Sequence, residues 1–178
     1  MSPWVPVIVQ IGLGLITFAG SGVIVHWLNS RRAHKEFLRK LEALFEAFGQ
    51  YEQVCLLTLS LWSLVAANKL AYEEANARDE KELRGVPNYF GTVQMLIYLY
   101  FLQLNPKYQK CVTIFEKGMV DVVRIRSLLA ANNFRDLDPD TVSRLSMCLT
   151  DFVDAAFKFK SAIREHGNTL GLLQENKW

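Results

Sequence analysis

Residues 5–28, VPVIVQIGLGLITFAGSGVIVHWL, run for 24 positions without a formally charged side chain. A helix needs about 20 apolar residues to cross the hydrocarbon core of a bilayer. The run is therefore long enough to span a membrane, and Arg31 and Arg32 follow it closely. A cleaved leader would carry basic residues ahead of a shorter apolar core. Here Met1-Ser2-Pro3-Trp4 has no basic side chain. Trp4 and Trp27 bracket the run. At about 1.5 Å per helical residue they stand about 35 Å apart, which suits rings at the two interfaces.

The expected layout is a transmembrane anchor over residues 1–29 and a cytoplasmic domain over residues 30–178. Arg31, Arg32, Lys35, Arg39 and Lys40 cluster just after the anchor. Basic residues beside a membrane helix stay cytoplasmic, so the N-terminus is expected outside. The same five residues are expected to contact anionic lipid head groups. A net charge of +2 does not mark a nucleic-acid binder. Cys55, Cys111 and Cys148 lie far apart in apolar stretches, with neither a disulfide framework nor metal-ligand spacing. They are expected as buried, reduced thiols.

The fold class is expected to be all-α, an antiparallel bundle of about four helices. Phe37, Leu41, Leu44, Phe48, Tyr51, Cys55, Thr58, Trp62 and Val65 recur at steps of 4 and 3. Such a coiled-coil-like stripe marks one buried helix face. It predicts a long first helix from about residue 30 to about residue 80, with no breaker between Gly22 and Gly49 to separate it from the anchor. Its far end, residues 73–84, reads as a charged, solvated stretch, stopped by Gly85-Val86-Pro87-Asn88. Residues 89–104 are apolar nearly all round, which suits a central buried helix or a membrane segment. Their apolar length, and that of residues 53–68, falls short of a span.

A further helix is expected over about 106–132, with Pro106 in its first turn. The last starts at Asp138-Pro139-Asp140, where Asp138 can cap and Pro139 fits the first position. Its stripe is Val142, Leu145, Leu149, Phe152, Ala156, Phe159 and Ile163, and Gly167 is its expected stop. Of these, Phe37, Leu41, Leu44, Phe48, Trp62, Leu145, Leu149, Phe152 and Phe159 are the expected packing residues of the bundle.

No catalytic signature is present: there is no nucleophile elbow, phosphate-binding glycine loop or clustered metal ligand set. No cofactor is expected, and the chain does not read as an enzyme. His26 lies at the inner membrane boundary, His34 in the basic stretch, and His166 in a helix C-terminus that favours a cation. The bundle is loosely similar in architecture to the HEPN ribonucleases, whose motif sets an Arg and a His a few residues apart. That motif is missing: Arg164 and His166 are too close, Ser161 stands where an Arg is wanted, and Lys160 is a weak substitute.

The anchor itself is rich in small residues. Gly12 and Ala19 share one face, Gly14 and Ser21 nearly the opposite one, with Thr17, Gly20 and Gly22 among them. Small faces let membrane helices approach closely, and Gln10 can hydrogen-bond across such an interface or line a pore. These features predict a membrane-anchored, self-associating interaction or effector module, with the bilayer, a second copy and a cytosolic protein as partners. The alternative is an oligomeric pore-forming effector of defence or toxin type. A divergent membrane-tethered ribonuclease is the third reading.

Overall fold

A computed structural model describes the backbone of residues 5–84, 88–131, 137–138 and 140–169, and the side chains of residues 32–81, 88–131, 137–138 and 140–168. Among these residues the chain is all helical, with no strand. Five α-helices follow in order: α1 Val5–Ala66, α2 Tyr72–Arg84, α3 Tyr89–Tyr100, α4 Asn105–Ala130 and α5 Thr141–Thr169, with a single 3₁₀ turn at Leu102–Leu104 between α3 and α4. The chain divides into two compact units, Met1–Arg39 and Lys40–Trp178.

Among the described residues no helix is long and apolar enough to cross a membrane. Neither residues 53–68 nor α3 does so. The uncharged run over residues 5–28 lies outside the residues whose side chains are described.

The second unit is built on the predicted stripe. Leu41, Leu44, Phe48, Tyr51, Cys55, Thr58, Trp62 and Val65 are all buried, so one face of α1 is covered along its whole course through this unit. Phe37 is half-buried. The first helix does not continue to residue 80. It ends in a Schellman motif: Lys69 N–H bonds to the Leu64 carbonyl at 2.9 Å and Asn68 N–H to the Val65 carbonyl at 3.0 Å. Asn68 has φ 56°, the left-handed conformation such a cap requires. Asn tolerates that conformation because its short amide bonds locally. The chain then turns back into α2, with Glu73 and Glu74 in its first turn.

Contacts between helices give the topology. On α2, Asp79 meets Thr58 and Trp62, while on α3 Phe90 meets Tyr51 and Tyr100 meets Lys40. Both α2 and α3 thus run antiparallel to α1 and form one descending leg, α2 ending at Arg84 and α3 starting at Tyr89. On α4, Tyr108 lies beside Tyr51 and Arg126 beside Trp62, so α4 ascends parallel to α1. On α5, Leu145 shares a core cluster with Trp62, Phe152 lies beside Tyr51 and Phe159 beside Phe48 at 4.5 Å, so α5 descends. Four antiparallel legs, one of them made of two helices, make an up-down-up-down bundle.

Gly118 marks a tight crossing of α1 and α4. A Cβ there would stand 2.5 Å from Leu59 Cδ2. The centre is aromatic: Tyr51 is within 6.4 Å, ring to ring, of Phe48, Phe90, Tyr108, Phe115 and Phe152. Of the predicted packing residues, Leu41, Leu44, Phe48, Trp62, Leu145, Phe152 and Phe159 are buried, and Leu149 is half-buried.

At the other boundaries the capping residues act as expected, with shifted limits. Asn88 caps α3 by accepting from Gly91 N–H at 2.9 Å. Pro106 occupies the first turn of α4. Asp138 accepts from Asp140 N–H at 3.0 Å, but α5 begins only at Thr141 and passes through Gly167 to Thr169. Gly167 is buried within the helix, where a missing side chain suits close packing better than a stop.

Candidate functional site

Three arrangements of side chains in the bundle merit a functional reading. The first is a buried carboxylate. Asp79 is 1% exposed on α2 and receives three donors: Thr58 Oγ1 at 3.1 Å on Oδ1, Trp62 Nε1 at 3.1 Å on Oδ2, and Arg126 Nη2, also on Oδ2. The Arg126 guanidinium lies 4.5 Å over the Trp62 ring. Charge pairing, hydrogen bonding and cation–π contact thus converge on one group drawn from α1, α2 and α4. This corrects the reading of residues 73–84 as wholly solvated, since Ala75 and Asp79 face inward. Tyr72, Ala75 and Asp79 share one face at steps of 3 and 4. That spacing was the available signal, and the charged neighbours obscured it.

Where the descending leg breaks, a cleft of about 350 Å³ opens beside this carboxylate. Tyr51, Cys55, Tyr89, Phe90, Phe115 and Met119 contribute its apolar walls, and Asn88, Thr58, Asp79 and Arg126 its polar atoms. Burial pushes the Cys55 thiol up to about 12, as it does Cys111. Burial also raises the Tyr51 hydroxyl, with Cys55 second, and the Tyr108 hydroxyl. Neutral thiols and phenols at ordinary pH suit binding rather than nucleophilic chemistry. Cys148 departs from the expectation of burial: it is half-buried, with its thiol raised by partial desolvation.

The second arrangement clamps α4 to α5. Arg144 donates from Nε and Nη2 to both oxygens of Asp121, at 3.1 and 2.8 Å, and from Nη1 to Asp138 at 2.7 Å. Its hydrogen bonds to Asp121, then to Asp138, raise the guanidinium value. The Asp138 carboxyl is held below its usual range, first by Arg144 and then by the Asp140 N–H. This fork ties α4 to α5.

The third is a surface. On α3, Val93, Leu96 and Ile97 face the core. Met95, Tyr98, Leu99 and, in the following turn, Leu102 are more than half exposed. The all-round apolar pattern of residues 89–104 thus covers two faces, one buried and one open. Lys40 Nζ sits 3.8 Å over the Tyr100 ring, placing this surface at the end of the bundle where the chain enters it.

The remaining predicted residues fall as follows. Gln10, Gly12, Gly14, Thr17, Ala19, Gly20, Ser21 and Gly22, together with Arg31 and His26, lie outside the residues with described side chains. Arg32, Lys35, Arg39 and His34 are exposed on α1, while Lys40 is half-buried. His166 approaches Gln103, with Nε2 atoms 2.9 Å apart, and meets Phe101 edge-on. Lys160 pairs with Glu52, and the Arg164 guanidinium lies over Phe45. Among the described residues no cluster of His, Cys, Asp or Glu could hold a metal ion. No family model, curated protein or solved structure matches this chain.

Proposed function

We propose that this chain is a self-associating interaction module, held at a membrane by residues 1–29 and presenting residues 30–178 as a cytoplasmic helical bundle. The observation that carries the reading is the open apolar face of Met95, Tyr98, Leu99 and Leu102. Covering a side chain of this size is worth about 1.5–3 kcal/mol. Contiguous apolar surface of this kind marks interaction sites. Its occupant in this reading is the same face of a second copy. Copies confined to one bilayer meet at a raised effective concentration, so a modest interface suffices. The uncharged run over residues 5–28 and the basic residues after it support the anchoring half of the reading.

The test is the mass of the detergent-solubilised particle by light scattering. The expected result is a mass above that of one 20.4 kDa chain plus its detergent, falling to one chain in Leu99→Asp with the thermal transition unchanged. A monomeric wild type removes self-association. Recovery of the full chain in the supernatant after ultracentrifugation of lysed cells removes the anchor.

A further inference from the structure

The cleft at the break in the descending leg has a definite chemical polarity. Asp79 forms part of its lining, yet the carboxylate is 1% exposed and already accepts three hydrogen bonds. It has little left to offer a ligand. The donors are less fully used. A guanidinium carries five N–H donors, and among the described residues Arg126 uses Nη2 on Asp79 while its buried Nε has no partner. The Arg126 side chain is 36% exposed and lines the cleft. Asn88 has turned its Oδ1 to the Gly91 N–H, which leaves the Nδ2 donor at the rim. The walls are rings and soft apolar groups: Tyr89, Phe90, Phe115 and Met119.

We propose that this cleft binds a small organic anion, an aromatic carboxylate whose flat body stacks among these rings and whose carboxylate accepts from Arg126 and Asn88. The volume of about 350 Å³ falls within the range of about 300–1,000 Å³ usual for small-molecule sites. Arg suits this task because its planar fork can hold a buried Asp on one edge and a ligand carboxylate on another. Asp79 and Arg126 cancel one another, so a bound anion adds one negative charge, which the N–H donors of Arg126 and Asn88 must offset. The ligand's anion meets N–H donors, while the Asp79 carboxylate in the lining is already engaged by Thr58, Trp62 and Arg126. The protonated Cys55 thiol adds a soft apolar wall. This binding does not depend on the chain's being membrane-anchored or self-associating.

The test is calorimetric titration of the full chain in a neutral detergent with 2-naphthoate, against detergent blanks, with 2-naphthylmethanol as the uncharged probe of the same shape. The acid is expected to bind at least about tenfold more tightly than the alcohol, a difference of about 1.4 kcal/mol. Val54→Trp, a larger side chain at another position of the lining, is expected to abolish binding while the melting temperature holds. Arg126→Lys keeps the charge opposite Asp79 but loses the fork, and is expected to reduce the acid to the affinity of the alcohol. Equal affinity for the two probes in the wild type, no saturable binding of the acid, or undiminished binding in a folded Val54→Trp each overturns the proposal.

Discussion

Asp79 is a buried carboxylate that accepts from three side chains, Thr58, Trp62 and Arg126. Removing its carboxylate strands the Arg126 charge and leaves Thr58 and Trp62 without their acceptor. Breaking a buried ion pair from one side costs about 3–5 kcal/mol. Arg126 is partly solvated, which lowers the expected loss for Asp79→Ala to about 2–3 kcal/mol. Asp79→Asn retains an acceptor and is expected to cost less. Urea unfolding followed by circular dichroism measures both, and a loss below about 0.5 kcal/mol for Asp79→Ala, the range of ordinary surface changes, would show that the three donors find water instead. No composition rule points to this residue. It stands in a run where acidic and basic side chains are mostly exposed, and only its register with Tyr72 and Ala75 distinguishes it.

At the level of helices, periodicity was the reliable guide and punctuation the unreliable one. The α1 stripe from Leu41 to Val65 and the α5 stripe from Leu145 to Ile163 mark buried faces because steps of 3 and 4 return to one side of a helix. The break at Asn68 was not legible, since Ala66-Ala67-Asn68-Lys69 has neither Gly nor Pro and an Asn adopts the left-handed cap only in some contexts. Without that break α2 is not legible, nor is the Asp79 cluster, which needs α1, α2 and α4 to meet, nor the cleft, which needs α3 as well. The open face of α3 was hidden for a different reason: a uniformly apolar sequence does not say which of its sides is covered.

The clamp between α4 and α5 carries a pH dependence of determinate sign. The folded Asp138 carboxyl titrates below its usual range, so its ionised form favours the fold. Its contribution is complete above the unfolded value of about 4 and fades as pH falls through the lower folded value. Asp138→Asn is therefore expected to melt below the wild type at about pH 6, with the gap narrowing at about pH 2 as the carboxylate takes up its proton. Thermal melts at the two values decide it, and a gap that persists unchanged at low pH assigns the effect to shape rather than charge.

For the whole molecule, the distribution of the core sets the minimal folding unit. Among the described residues the buried apolar side chains run from Leu41 to Ile163, and every helix of the four legs draws on them. The unit Lys40–Trp178 therefore contains both its hydrophobic core and the ion pairs that tie its legs, Arg126 with Asp79 and Arg144 with Asp121. A domain of this size buries enough surface to fold alone. Fragment 40–178 is expected to keep its helicity and to unfold in a single cooperative urea transition, with fluorescence and circular dichroism coincident. The open face of α3 remains on the fragment, and in the proposed reading its copies, no longer sharing a bilayer, meet only at solution concentration. Its association is thus expected to weaken on dilution while the unfolding transition persists. Separate transitions by the two probes, or helicity lost on removing residues 1–39, would show that contacts made before Lys40 are part of the core.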